Sequence, residues 1–125
     1  MKIRNITREI ENVLGKSLSE KGFIERKDVN EDGTYIWEFA CGDMEISLEE
    51  RFRKYLFIKF ALYNIPAIEE KCLVSFLPET TLKEQAYGFA FTDEEDLRNL
   101  LLRLKPIIME QGIPWMEETY AKYKK

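Results

Sequence analysis

The side chains of this sequence that could do chemistry are chiefly carboxylates, because the chain contains no histidine. Without imidazole there is no Ser-His-Asp or Cys-His nucleophile, no His-mediated proton transfer near neutral pH and no His-containing zinc site. Glu38, Glu45 and Glu49 fall where alternate residues of two strands would share a face. Glu45 and Glu49 are about 13 Å apart by strand rise, too far for the carboxyl pair of a typical glycosidase. Glu38 lies diagonal to both and within reach of either. Carboxylates on the polar face of a sheet mostly solvate it, so no catalytic residue is assigned, and a binding role is expected ahead of an enzymatic one.

A second candidate is the stretch Asp28-Val29-Asn30-Glu31-Asp32-Gly33. It matches the D-x-N-x-D-G opening of a calcium loop, in which alternate oxygens surround the ion and Gly permits the sharp turn. The bidentate Glu that should close such a loop is replaced by Phe39, with Glu38 one residue early. The second half also patterns as strand. Asx-rich sequence serves a backbone turn equally well, so Asp28, Asn30 and Asp32 are read as turn residues. No metal or cofactor is expected.

The elements that position these groups follow from periodicity. Ile3, Ile6, Ile10, Val13, Leu14 and Leu18 recur at helical steps and predict an amphipathic helix from about residue 4 to 21. Lys21-Gly22-Phe23 ends it, with Gly in the left-handed position and Phe packing back. A short edge strand is expected over Phe23 to Lys27, then two strands, Thr34 to Cys41 and Met44 to Glu50, joined at Gly42-Asp43. In that hairpin, facing positions sum to 85, which puts Tyr35, Trp37, Phe39 and Cys41 on one side with Met44, Ile46, Leu48 and Glu50. Ile36, Glu38 and Ala40 share the other side with Glu45, Ser47 and Glu49, a division expected of a sheet solvated on one face.

Downstream, Ala67 to Phe76 reads as a short helix, a strand, or one after the other, and Gln85 to Phe91 as a strand with Tyr87, Phe89 and Phe91 together. Whether the 66–84 segment covers the polar sheet face is left open by the sequence. Thr92-Asp93-Glu94-Glu95 predicts a capping box. The helix behind it buries Leu97, Leu100, Leu101, Leu104 and Ile108, with a kink or break at Pro106 and another at Gly112 and Pro114. A terminal helical stretch runs from Trp115 to Lys125, where Trp115, Met116, Tyr120 and Tyr123 are expected to pack on the sheet.

The octet RKYLFIKF, Arg53 to Phe60, resembles the RNP1 strand of RNA-recognition domains, with Lys54 and Leu56 where Gly and a small residue belong. A stacking platform needs cations for the phosphates, whereas the neighbours of Tyr55 and Phe57 are Glu38, Glu45 and Glu49, set against Lys59 and the loop residues Arg51, Arg53 and Lys54. The helix-first order also departs from that fold. Leu56, Ile58 and Phe60 therefore predict a core strand, and Tyr55, Phe57 and Lys59 its outer side.

At 125 residues, 45% hydrophobic and 34% charged, the chain is expected to form one globular domain spanning 1–125. A net charge of −4 opposes nonspecific binding to nucleic acid. No secretory signal is evident at the N-terminus, and the most apolar run, Tyr55 to Tyr63, is about half a membrane span. Cys41 and Cys72, without a CxxC spacing, read as reduced thiols, and a cytoplasmic location is expected.

LSEKGFIERK after an amphipathic helix, then strands, then a Leu-rich helix ending GIPWMEETY, resembles uncharacterised small bacterial α+β domains of the toxin-immunity type. The resemblance implies a protein that acts by binding. The expected architecture is α+β: an antiparallel sheet of four to six strands with N-terminal and C-terminal helices packed on one face. The expected function is non-catalytic protein binding, as an immunity-like inhibitor or a homodimer, through Tyr55, Phe57, Lys59, Glu45, Glu49 and Glu38. The alternatives are a small-molecule or enzymatic pocket between sheet and helices and, third, single-stranded nucleic acid on Tyr55 and Phe57. Neither a membrane nor nucleic acid is an expected partner.

Overall fold

Helical spacing of apolar residues buries Ile6, Ile10, Val13, Leu14 and Leu18 along the first segment. In the computed structural model, which describes residues 1–123, this segment is α1 (Ile3–Ile10), a π-helical turn (Glu11–Gly15) and α2 (Lys16–Glu20). It ends as the sequence predicts. Gly22 takes a φ of 89°, the Phe23 N–H donates to Leu18 O at 3.0 Å, and the Phe23 ring is buried.

Six strands follow: β1 (Ile24–Val29), β2 (Tyr35–Cys41), β3 (Met44–Arg51), β4 (Tyr55–Leu62), β5 (Glu69–Cys72) and β6 (Phe89–Ala90). All pair antiparallel in the order β1-β2-β3-β4-β5, with β6 beside the start of β4. The β2–β3 register places Ile36 opposite Glu49 and Trp37 opposite Leu48, so facing positions do sum to 85. β1 runs two residues further than predicted and takes Asp28 and Val29 into the strand.

One face of the sheet meets the helices. Trp37, Phe39, Ile46, Leu48, Leu56, Ile58 and Phe60 are buried there with the helical stripe and with Leu97, Leu101 and Leu104. Full burial of each such side chain contributes about 1.5–3 kcal/mol. Trp37 satisfies its indole N–H on the Thr7 hydroxyl at 2.9 Å, which fixes α1 across β2. Glu9, buried at the seam between the helices, accepts both arms of the Arg98 guanidinium at 2.9 and 3.0 Å. That fork holds Glu9 below its ordinary carboxylate value, against the burial that raises it.

In the second half of the chain the structure decides one reading the sequence left open and corrects three others. Ala67 to Phe76 resolves into β5 followed by a 3₁₀ turn (Leu73–Phe76), which is strand then helix. The strand predicted from Gln85 to Phe91 is instead α3 (Leu82–Tyr87) and the two residues of β6. A complete capping box at Thr81 and Glu84, with bonds of 2.9 and 3.0 Å, starts α3. Gly88, at φ 102°, then ends it where the backbone meets Leu56.

The cap predicted at Thr92 moves by one residue. Asp93 accepts from the Asp96 N–H at 2.8 Å, and the Asp96 carboxylate takes the Thr92 N–H and hydroxyl. Asp competes at least as well as Thr for an N-cap. Finally, neither Pro106 nor Gly112-Ile113-Pro114 breaks the last helix. α4 (Glu94–Ile107) passes through Pro106 into a π-helical turn (Ile108–Gly112) and then α5 (Ile113–Tyr123). The Ile113 N–H donates to Ile108 O, five residues back. This wider turn accommodates a proline whose ring would strike a carbonyl four residues back in an unbroken α-helix. Positions 124 and 125 of the predicted terminal helix lie outside the described residues. No helix among the described residues is long and apolar enough to cross a membrane.

Candidate functional site on the outer sheet face

The face of the sheet turned away from the core carries Ile24, Arg26 and Asp28 of β1, then Ile36, Glu38 and Ala40 of β2. Glu45, Ser47 and Glu49 of β3 follow, then Tyr55, Phe57 and Lys59 of β4, with Glu70 and Cys72 of β5. Strand alternation dictates this set, because every inward neighbour in β2–β4 is apolar except Glu50. None of the outward residues of β1, β2 and β3 is fully buried.

Glu38 and Glu45, diagonal neighbours on β2 and β3, come together around Arg26. Its guanidinium donates to Glu45 at 3.1 Å and to Glu38 at 3.4 Å. The Glu45 carboxyl is pushed up to about 7, first by burial, then by a shared hydrogen bond with Glu38 and by its negative charge. Arg26 and Lys59 oppose that rise. Burial and the same carboxylates push the Tyr63 phenol up as well. Lys59 reaches Glu70 on β5 at 3.3 Å, and Glu49 pairs with Arg51 at 3.6 Å. Near neutral pH the Glu45 carboxyl is therefore only partly ionised, and a further cation beside it would favour its charged form.

Tyr55 and Phe57 do point outward, but neither stands bare. The Arg51 guanidinium lies 4.2 Å over the Phe57 ring and donates to Ala86 O of α3, and the Tyr87 ring lies 5.5 Å from Tyr55. The 66–84 segment thus extends the sheet at one edge through β5, and α3 behind it reaches the outer face at the Tyr55 corner. The acidic part of the face is half-buried among its own neighbours, with the Glu38 and Glu45 side chains 17% and 13% exposed.

The calcium-like stretch forms a hairpin turn. Asp32 Oδ1 accepts from the Thr34 N–H at 3.0 Å, Asp28 Oδ1 from the Val29 N–H at 2.8 Å, and Gly33 N–H donates to Asn30 O. The side-chain oxygens of Asp28 and Asp32 serve the backbone, as in Asx turns. Among the described residues no group of three or more acidic or cysteine side chains is placed to hold a metal ion. Cys41 and Cys72 are free, half-buried thiols, and burial pushes the Cys72 thiol up.

Sequence reasoning missed Arg26, Tyr63, Phe52 and Tyr87. Phe52 and Arg53 sit at φ 58° and 55° in the turn between β3 and β4, where the Lys54 N–H closes on Arg51 O at 3.0 Å. Left-handed backbone costs about 1–2 kcal/mol for a residue with a side chain, and such turns normally carry Asn-Gly. The place of the loop between the two strands was legible, and the missing Asn-Gly concealed only its left-handed geometry. Glu50, only 2% exposed, holds it by accepting the Arg53 N–H at 3.1 Å, the Arg53 guanidinium and the Tyr35 N–H.

Comparison with protein families, curated proteins and solved structures finds no match to this chain.

Proposed function

We propose that this chain is a non-catalytic protein-binding domain of the bacterial cytoplasm, of the immunity-like kind, which docks a cationic protein partner on the outer face of its sheet. The observation that carries this reading is the Glu38–Glu45 pair gathered around Arg26 on a face whose acidic groups exceed its basic ones. Asp28, Glu38, Glu45, Glu49 and Glu70 stand against Arg26, Arg51 and Lys59. A Lys or Arg of the partner placed beside Glu45 relieves the repulsion and releases the proton. Phe57 and Tyr55 supply the aromatic contact that interfaces favour. The interior between sheet and helices is filled by buried side chains, which favours a surface function over an internal ligand pocket.

Affinity capture combined with sedimentation tests the reading. A captured basic partner is expected, with affinity at least about tenfold lower for Phe57→Glu or Glu45→Lys, a loss typical of an interface residue. A strictly monomeric protein that captures nothing at pH 7–8, or a complex indifferent to both substitutions, contradicts it.

A further inference from the structure

The edge strand β1 adds no side chain to the core. None of its six side chains is fully buried, and Glu25 alone is half-buried, the rest being exposed. It runs from the buried Phe23 to the turn at residues 30–34, where the Asn30 N–H donates to Thr34 O at 2.8 Å. An edge element with so little buried apolar surface opens at a lower free energy than the strands behind it. Two inward side chains tie β1 to the first helical segment, and both converge on Glu11 of the π-helical turn. The Lys27 ammonium pairs with the Glu11 carboxylate at 3.5 Å, and the Glu25 carboxyl is hydrogen-bonded to it. Between strand and helix lies a hollow of about 530 Å³ whose lining includes Glu11, Gly15, Lys16, Ser19, Glu25 and Phe39.

We propose that β1 is a releasable edge strand, latched to the first helical segment by the Glu11–Glu25 carboxyl pair, and that the latch loosens as pH rises towards neutrality. Two carboxyl groups in contact hold a hydrogen bond only while one of them carries a proton. Burial, then the hydrogen bond and the charge of Glu11, push the Glu25 carboxyl up to about 7, and Lys27 opposes the rise. Lys16 stands on the helical wall of the hollow, while β2 presents Trp37, Phe39 and the Cys41 thiol on that side. A released β1 places Glu25 in water, where its proton leaves near the ordinary value of 4.5. Between about 4.5 and 7 the latched form thus holds a proton that the released form lacks, and rising pH favours release. On the opposite face Arg26 ties β1 to Glu38 and Glu45. Ionisation of Glu45 strengthens that tie, so a loosening with rising pH has to come from Glu25. Release uncovers the edge of β2 (Tyr35–Cys41), with Phe39 opposite Glu25 near its centre.

Hydrogen exchange of the whole chain, followed residue by residue by NMR, tests the latch. Protection factors, which remove the intrinsic rise of exchange with pH, are compared for the β1 amides bonded to β2 and for those of the β3–β4 ladder. From about pH 5 to about pH 7 the β1 values are expected to fall at least about tenfold relative to the β3–β4 values, since one linked proton is worth up to about tenfold per pH unit. Glu25→Gln keeps a hydrogen-bonding side chain that does not ionise, and it is expected to hold β1 protection level across the same range. Glu45→Gln, on the opposite face, is expected to leave the pH dependence of β1 in place. Protection of β1 that stays constant, rises with pH or falls only in step with β3–β4 overturns the proposal. So does a pH dependence that survives Glu25→Gln or disappears with Glu45→Gln. The measurement needs no partner, so its failure leaves the sheet-face reading standing.

Discussion

At the scale of single residues, the informative group is Glu50. The sequence reading placed it on the Trp37 side of the β2–β3 hairpin, a position that should cost several kcal/mol for an unpartnered carboxylate. The structure supplies its partners. The Tyr35 N–H arrives from β2 at 3.2 Å, and the Arg53 N–H and guanidinium arrive from the turn. Periodicity fixes which side of a strand a residue occupies, so the side Glu50 takes was legible, whereas its burial overturns the expectation that it would join Glu45 and Glu49 in facing a basic partner. Its partners were not legible, because they come from a turn whose sequence, Arg51-Phe52-Arg53-Lys54, carries none of the usual turn residues. Removing the carboxylate leaves two backbone N–H groups without an acceptor and frees a strained turn. Glu50→Ala is expected to lower unfolding stability by about 2–3 kcal/mol, read as a fall in urea midpoint at constant m-value. A loss below about 0.5 kcal/mol would mean that water replaces the carboxylate and that the turn holds itself.

At the scale of elements, residues 3–62 followed their hydrophobic pattern closely, and residues 63–123 followed it less. The β2–β3 register and the inward set Leu56, Ile58 and Phe60 needed only alternation and one Gly-containing turn. The last helix needed information that its own sequence does not hold. Pro106, Gly112 and Pro114 are local breakers, yet the chain stays helical because the tertiary fit outweighs propensity. The fit is visible at Gly112. A Cβ added there would lie 2.2 Å from the Phe60 ring of β4, so the glycine brings the helix down onto the sheet. Gly112→Ala gains helix propensity of about 1 kcal/mol but drives a methyl into a buried ring, which costs about 1–3 kcal/mol in a packed core. A net loss of about 1 kcal/mol is expected by thermal or urea denaturation. The companion substitution Phe60→Leu, which vacates the space, should make Gly112→Ala neutral or stabilising. Additive losses in that double variant would show that the two residues do not compete for the same volume. The candidate site divides the same way. Glu38, Glu45, Glu49, Tyr55, Phe57 and Lys59 were legible as one face, whereas Arg26, Tyr63 and Tyr87 reach it through strand order and a helix that alternation alone does not reveal.

At the scale of the whole molecule, charge is arranged so that part of the stability falls as pH rises from about 4.5 to 7. Two carboxyl pairs lie at the β1–β2–β3 side of the sheet: Glu45 with Glu38 outside, and Glu25 of β1 with Glu11 of the first helical segment. In each, the first-named group is pushed up to about 7, chiefly by burial and then by the hydrogen bond and charge of its partner. The unfolded chain releases these protons near the ordinary value of 4.5. Between about 4.5 and 7 the folded protein therefore binds more protons than the unfolded one, and this contribution to stability falls as pH rises. Glu9 acts in the opposite sense. Its folded value lies below 4.5, so its contribution is present above that pH and is lost only as pH falls through the lowered value. The double variant Glu25→Gln/Glu45→Gln keeps a hydrogen-bonding side chain of the same shape at each position and removes the charges. It should match the wild type in urea midpoint at pH 4.5, exceed it progressively as pH rises, and level off above pH 7. The acid limb governed by Glu9 should be unchanged. A variant less stable than wild type at pH 8 would reverse the sign and show that Arg26 and Lys27 already neutralise the pairs. Because the same Glu45 proton must leave when a cationic partner docks, that result would also remove the electrostatic ground for binding on the outer face.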